Sequence, residues 1–306
     1  HLSSSNTGKR GQDKASVFFN EVKQLDCVIS DVDYKGHLGE RRIKPEIRKQ
    51  KQLNNIPFTE LVEFDVCPYK YFLKSSCGFD EPYKREMGYG NIMHNCLFEY
   101  HEMKRQGLSP TENDIEKMLD RHFHLPHTKP FEHKLREKMK EGLKKRLFHY
   151  HKTKGNKLHD IEHVEQELNL RVSDTARVNG RMDLLRYRYG KKEIIDFKSG
   201  QLSSQGGLAE RELQDKKVTL QLEGYALAEE QNTGIPPTTI SAVYLQPNFS
   251  SGDPEKRLMV TAERQSSTKS KIAGICSDIQ QGIRTKSCYS AACSNCRIGK
   301  ALCPNG

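Results

Sequence analysis

The sequence predicts an α/β fold with a helical insertion in its first half and a cysteine cluster at its C-terminal end. Three observations predict it. Strand-spaced apolar residues run from 161 to 198, a helical pattern crosses over at 218–228, and strand patterns return at 240–246 and 257–261. Strands, a crossover helix and further strands build a sheet with helices packed over it.

The chain has 306 residues, with 50 Lys and Arg against 40 Asp and Glu, a net charge of +10. That balance suits a polyanionic partner such as DNA. No run approaches the ~18 apolar residues of a membrane span, and no signal peptide is visible. The expectation is an intracellular, cytoplasmic protein, nucleoid-associated where its partner is DNA, with no membrane partner. There is no G-x-x-x-x-G-K phosphate loop, so ATP-driven work must come from elsewhere. Nine cysteines, an odd number, argue for metal ligation over a disulfide framework.

Residues 1–55 are polar and charged apart from Val17-Phe18-Phe19, and read as a linker or docking arm. Thr59 is expected to cap a short helix carrying Leu61, Val62 and Phe64. Pro68 suits the first position of a second helix, which places Cys67 at the junction. Alone, Cys67 reads as a small buried residue. Gly88–His94 opens the next helix, with Ile92, Met93, Cys96 and Leu97 on its inner face and His94 at that face's edge.

Residues 109–155 read as the helical insertion. Thr111 to Asp114 resembles a capping box, and Leu135, Met139, Leu143 and Leu147 form a stripe at every fourth residue. From Lys129 to Lys154 there are ten Lys or Arg against three Glu. Two readings stand side by side: a groove that neutralises phosphates, or a solvated helix face.

The strand patterns centre on Val178-Asn179-Gly180-Arg181-Met182-Asp183-Leu184-Leu185 and Glu193-Ile194-Ile195-Asp196-Phe197-Lys198. Tyr189-Gly190 between them is short enough for a two-residue hairpin loop. Pairing Arg188 with Lys191 sets Asp183 opposite Asp196 and puts Lys198 on the face of Asp196. Two ionised carboxylates about 5 Å apart repel by about 3 kcal/mol at an effective dielectric of ~20. Such a pair implies a shared proton, a partner cation or a metal, and the apolar residues around it favour a metal. On the crossover helix, Gln221 and Tyr225 are four apart and share a face.

At the C-terminal end Cys293, Cys296 and Cys303 stand in a C-x2-C-x6-C spacing that lets sulfurs converge on one ion or cluster, with a fourth ligand needed from elsewhere. Cys288 is left outside that set.

The order Cys67-Pro68-x-x-Tyr71, Gly90-x-x-x-His94, Gly180-Arg181-Met182-Asp183, Asp196-Phe197-Lys198, Gln221-x-x-x-Tyr225 and C-x2-C-x6-C resembles the RecB-like nucleases of the PD-(D/E)XK superfamily. It is most similar to their iron–sulfur subgroup, which includes the AddB nuclease domain, the CRISPR adaptation exonucleases and UvrD-helicase-associated domains. The resemblance implies a restriction-endonuclease-like core, a mixed central sheet flanked by helices, over residues 56–306. It implies Mg²⁺ or Mn²⁺ on His94, Asp183, Asp196 and the Phe197 carbonyl. Lys198 would position the attacking water, while Gln221 and Tyr225 would contact the DNA backbone or steady the lysine. Cys67, Cys293, Cys296 and Cys303 would hold a [4Fe–4S] cluster, residues 288–304 acting as a structural staple.

The implied activity is a deoxyribonuclease acting on single-stranded DNA ends with a helicase motor, in the same chain or a partner, in repair, recombination or defence. Residues 16–22 faintly resemble the closing stretch of a UvrD-type motor. The competing reading is a non-catalytic nucleic-acid-binding module with a structural zinc site. A pure binder needs no paired carboxylates facing a phosphate, which favours the nuclease.

Overall fold

The computed structural model describes residues 55–79, 87–128, 132–200, 207–246, 254–286, 290–294, 296 and 303. The expected arm over 1–55, Asn55 excepted, lies outside them, as does Cys288.

Among the described residues, six strands form one mixed sheet: β1 (Ile56–Pro57), β2 (Ile161–Arg171), β3 (Arg177–Arg188), β4 (Lys191–Lys198), β5 (Thr239–Tyr244) and β6 (Glu255–Met259). β3 is its axis. β2 runs antiparallel along one edge of it, while β4, antiparallel, and β1, parallel, share the other. β5 is parallel to β4, and β6 closes the sheet antiparallel to β5. The mixed, helix-flanked sheet is the architecture the sequence predicts.

The hairpin register also agrees, with Arg188 paired to Lys191 and Leu184 to Ile195. Tyr189 and Gly190 both take positive φ, 52° and 72°, as a type I′ loop requires. Beyond Leu184 the ladder with β4 stops. β1 joins the same edge only at Val178 and Asn179. Asp183 therefore lies where two strands part rather than in a paired rung with Asp196.

Helices cover both faces. On one, α1 (Phe58–Val66), α6 (Leu208–Thr233) and α7 (Ala262–Gln280) enclose a core containing Leu61, Val178, Leu185, Ile194, Leu222 and Ile272. On the other, α3 (Tyr89–Arg105), α4 (Glu112–His122) and α5 (His133–Thr153) pack over Leu184, Ile195, Phe197 and Val243. The expected insertion, 109–155, thus supplies α4 and α5, two of the three helices of this layer. The Thr111–Asp114 capping box is formed. Met139, Leu143 and Leu147 are buried, with Leu135 packed partly against them.

Three helix starts differ from expectation. α1 begins at Phe58, with Pro57 and not Thr59 at its N-cap, because Phe58 anchors the turn in the core. α6 begins ten residues before its apolar pattern, since its first turns are largely exposed and carry no stripe. The apolar pattern over 270–283 marks a last helix, but α7 begins earlier, at Ala262, where Thr261 accepts the amide of Arg264. The basic face of α5 is largely spoken for: Lys140, Lys144 and Lys152 pair with Asp120, Glu116 and Glu112 of α4. That pairing favours helix packing over the phosphate groove. Among the described residues no helix is long and apolar enough to cross a membrane.

Candidate active site

A cleft of about 600 Å³ opens where β3 and β4 separate. Asp183, Asp196 and Lys198 line it, together with His94 from α3 and Gln221 and Tyr225 from α6. Local chemistry explains the opening. With no rung beyond Leu184, the Phe197 amide has no strand partner from β3, and a buried amide must find an acceptor. It donates to Asp183 Oδ2 at 2.6 Å. The other oxygen of Asp183 lies 3.1 Å from His94 Nδ1.

Asp196 is almost fully buried. Lys198 Nζ lies 2.6 Å from its Oδ2 as an ion pair. The ammonium also donates to Gln221 Oε1 at 2.8 Å, and Gln221 Nε2 donates to the Tyr225 hydroxyl at 2.7 Å. Lys198, Gln221 and Tyr225 thus form one hydrogen-bonded chain in the cleft.

Burial pushes the Asp196 carboxyl up to about 6; Lys198 opposes the shift, and the neighbouring Asp183 charge reinforces it. Burial pulls His94 down, but its bond to Asp183 and the charges of Asp183 and Asp196 outweigh it, leaving the imidazole above its ordinary value. Burial, then the Asp196 charge, raises the Tyr225 phenol, which stays protonated.

Two glycines shape the wall. A Cβ on Gly180 would stand 2.7 Å from Phe58 Cδ2 and 3.2 Å from Tyr225 Cε1, and one on Gly224 would strike the same Phe58 ring. Phe58 meets Tyr225 edge to face at 5.2 Å. Behind the sheet, the His101 ring stacks on Phe197 at 5.1 Å, and its Nε2 is 2.7 Å from the Tyr150 hydroxyl. Arg146 of α5 reaches the carbonyls of Ser199 and Leu245, at 3.0 and 2.6 Å, tying the ends of β4 and β5 to the helical layer.

Sequence reasoning missed Glu165. It lies on β2 between the rungs Val164–Leu184 and Gln166–Met182, so it faces Asp183 across the strands. Its φ is +49°, left-handed and strained for a glutamate. It lines the cleft and pairs with Arg181 at 3.1 Å. No motif marks it; only its distance from Asp183 counted along the strand pair would have found it.

His94, Asp183 and Asp196 thus border one cleft, but among the described residues no three His, Cys, Asp or Glu side chains form a ready-made metal-ligand group. The expected ligand set is not preassembled, because the Phe197 amide occupies one oxygen of Asp183 and Lys198 folds onto Asp196. The donor chemistry still fits a hard cation: two carboxylates, one of them deeply buried, beside an imidazole.

The cysteine motif is brought back to the start of the domain. The Tyr69 amide donates to the Thr285 carbonyl at 3.0 Å, and Arg284 lies over the Phe72 ring at 3.8 Å. Cys67 caps α2 (Pro68–Ser75), its sulfur accepting the Lys70 amide at 3.4 Å. Cys67 and Ala292 pack against Val66, Leu213 and Ala291. The Cys293 thiol is raised by burial and then by the nearby sulfurs of Cys67, Cys303 and Cys296. Four cysteines within electrostatic reach suit a cationic centre, although they too are not drawn together into a ligating group.

A model of the PD-(D/E)XK nuclease superfamily matches residues 56–304. Among solved structures, the crystal structure of SSO0001 is similar at 17% identity, covering 83% of this chain and 88% of that one, with a TM-score of 0.40. A candidate exonuclease from Eubacterium rectale is similar at 13% identity, covering 88% and 100% of the two chains, with a TM-score of 0.40. Both likenesses are too distant to bear on the site. No curated protein matches the chain.

Proposed function

The chain belongs to the PD-(D/E)XK nuclease superfamily, and from that premise we propose that it is a divalent-metal-dependent DNA nuclease. It hydrolyses phosphodiester bonds at single-stranded ends and works with a helicase motor. The observation that carries the catalytic reading is the pair Asp183 and Asp196 in one cleft with Lys198 beside them, held by Gln221.

Asp183, Asp196, His94 and the Phe197 carbonyl would hold Mg²⁺ or Mn²⁺. Bound there, the cation supplies Lewis-acid charge and an acidified water. The chain's own residues do the positioning. Lys198 offers a fixed ammonium to the negative charge that builds on the phosphate, at a site where such charge is weakly screened. Gln221, backed by Tyr225, fixes the rotamer of that long side chain. His94 orients Asp183, and the bond from Phe197 N–H holds the carboxylate at the strand junction.

Cleavage of end-labelled single- and double-stranded DNA with Mg²⁺ or Mn²⁺ is the direct test. Asp196→Ala and Lys198→Ala are expected to abolish it while the proteins stay folded by circular dichroism. Retained cleavage in both would end the assignment.

The second cofactor is a [4Fe–4S] cluster on Cys67, Cys293, Cys296 and Cys303, with a structural role. A brown protein absorbing broadly near about 400 nm supports it, and a colourless one containing zinc, whose filled d shell gives no such band, overturns it.

A further inference from the structure

We propose that a second pocket, at the hairpin end of β4 and on the sheet face away from Asp196, binds a nucleotide unit of a nucleic-acid strand. Its phosphate would enter the pocket and its base would stack at the rim. The cavity measures about 430 Å³, within the range of pockets that hold small ligands. Ile195 and Phe197, which alternate with Asp196 and Lys198 along β4, form part of its floor.

Its charge is unbalanced. One buried carboxylate, Glu193, faces three guanidiniums: Arg186 Nε and Nη2 at 2.7 and 2.6 Å, Arg257 Nη2 at 2.6 Å and Arg188 Nη1 at 4.0 Å. Glu255 is shared between Lys154 at 2.6 Å and Arg257 at 3.0 Å. Five cations, Lys157 among them, line the pocket walls against two carboxylates, Asp160 and Glu255, and the buried Glu193 adjoins them as a third. The Arg186 side chain is only 11% exposed. That buried guanidinium is matched by Glu193, so the surplus charge sits on the more exposed Arg188, Arg257 and Lys157, where an entering anion can meet it.

The rim carries an exposed aromatic ring. Tyr189 is 90% exposed at the hairpin tip, with the Arg188 guanidinium 5.7 Å from its ring. Its φ of 52° is one that Asn or Gly adopts far more easily in this turn. Packing does not explain a strained, solvent-facing tyrosine, whereas a flat platform beside cations is how proteins hold single-stranded bases.

The inference deepens the nuclease reading by placing a strand contact away from the cleft, and it takes the kind of polymer from that reading. Binding of a labelled single-stranded oligonucleotide, measured by anisotropy in EDTA, needs no cleavage. Tyr189→Gly, which suits the turn, Arg188→Gln and Lys157→Gln are each expected to weaken binding of a long strand about fivefold or more. The same variants should raise KM for long strands without changing kcat, and leave a very short substrate untouched.

Competition by a 5′-mononucleotide in the wild type, lost in the variants, would mark free nucleotide as a ligand too. Competition only by longer strands would confine the site to polymers; both outcomes support it. Unchanged strand affinity in all three variants overturns it, as does an equal loss of heparin binding, which reads as charge without base stacking. If the wild type binds DNA through these residues yet never cleaves it, this site stands and the nuclease reading falls.

Discussion

Glu165 shows how much chemistry rests on one backbone angle. A non-glycine residue in the left-handed region costs roughly 1–3 kcal/mol, and such strain gathers at functional sites. Glu165→Gly removes the strain but adds backbone freedom to the unfolded chain, worth about 0.5–1 kcal/mol. Denaturant melts should therefore show stability unchanged or slightly raised. The same variant is expected to lose at least tenfold in cleavage rate; full activity would reduce Glu165 to a partner of Arg181.

His101 gives the pH dependence. It is buried and neutral, and burial pulls its pKa down to about 3. Between about 3 and its ordinary value near 6.5 the unfolded chain binds a proton that the folded chain refuses, so stability rises with pH across that window. The contribution is complete above about pH 6.5 and is lost on acidification. Unfolding in urea at pH 7 and pH 5 should show a fall of about 1–2 kcal/mol from this group. In His101→Gln that fall should shrink, even if the variant starts less stable.

Among the elements, the hairpin was the most legible part of the sequence. A two-residue loop leaves one register, and that register carried Asp196, Lys198 and the position of Asp183 with it. What it did not reveal was the parting of β3 and β4, because the Phe197 amide turns to the Asp183 carboxylate instead of to a backbone carbonyl. The two residues of β1 carry no pattern that could have announced a strand. Exposed first turns hid the start of α6, and the Glu193 network depends on residues that only the folded sheet brings together. Periodicity reports burial within an element, and is silent on which polar groups meet between elements.

Phe58 joins three elements, since its ring fills the space left by Gly180 of β3 and Gly224 of α6. Gly224→Ala should destabilise the fold by about 1–3 kcal/mol through overpacking. The displaced ring should also disturb Tyr225, and through Gln221 the setting of Lys198. A rise in KM or fall in kcat beyond what the stability loss explains is the expected kinetic signature. A variant with wild-type melting would show that the ring has room to retreat.

At the scale of the molecule, the C-terminal end of the domain returns to its beginning. Lys271 pairs with Asp65 across 206 residues of sequence, and the Tyr69–Thr285 bond adds to it. Cys293→Ala should lower the melting temperature by several degrees, at roughly 2–4 °C per kcal/mol for a domain near this size. It should also speed proteolysis near residue 285, while strand binding at the hairpin pocket, far along β4, stays as it was. Unaltered melting and proteolysis would mean that the polar contacts alone hold the tail.

Ribosomal synthesis proceeds from one end to the other, so the clasp between Tyr69 and Thr285 cannot form until residue 285 has emerged, more than 200 residues after its partner. Until then α1 and α2 wait without the partner that covers them, a delay that distant contacts impose on any fold. A product interrupted before residue 285 would therefore expose that early surface to chaperones and proteases.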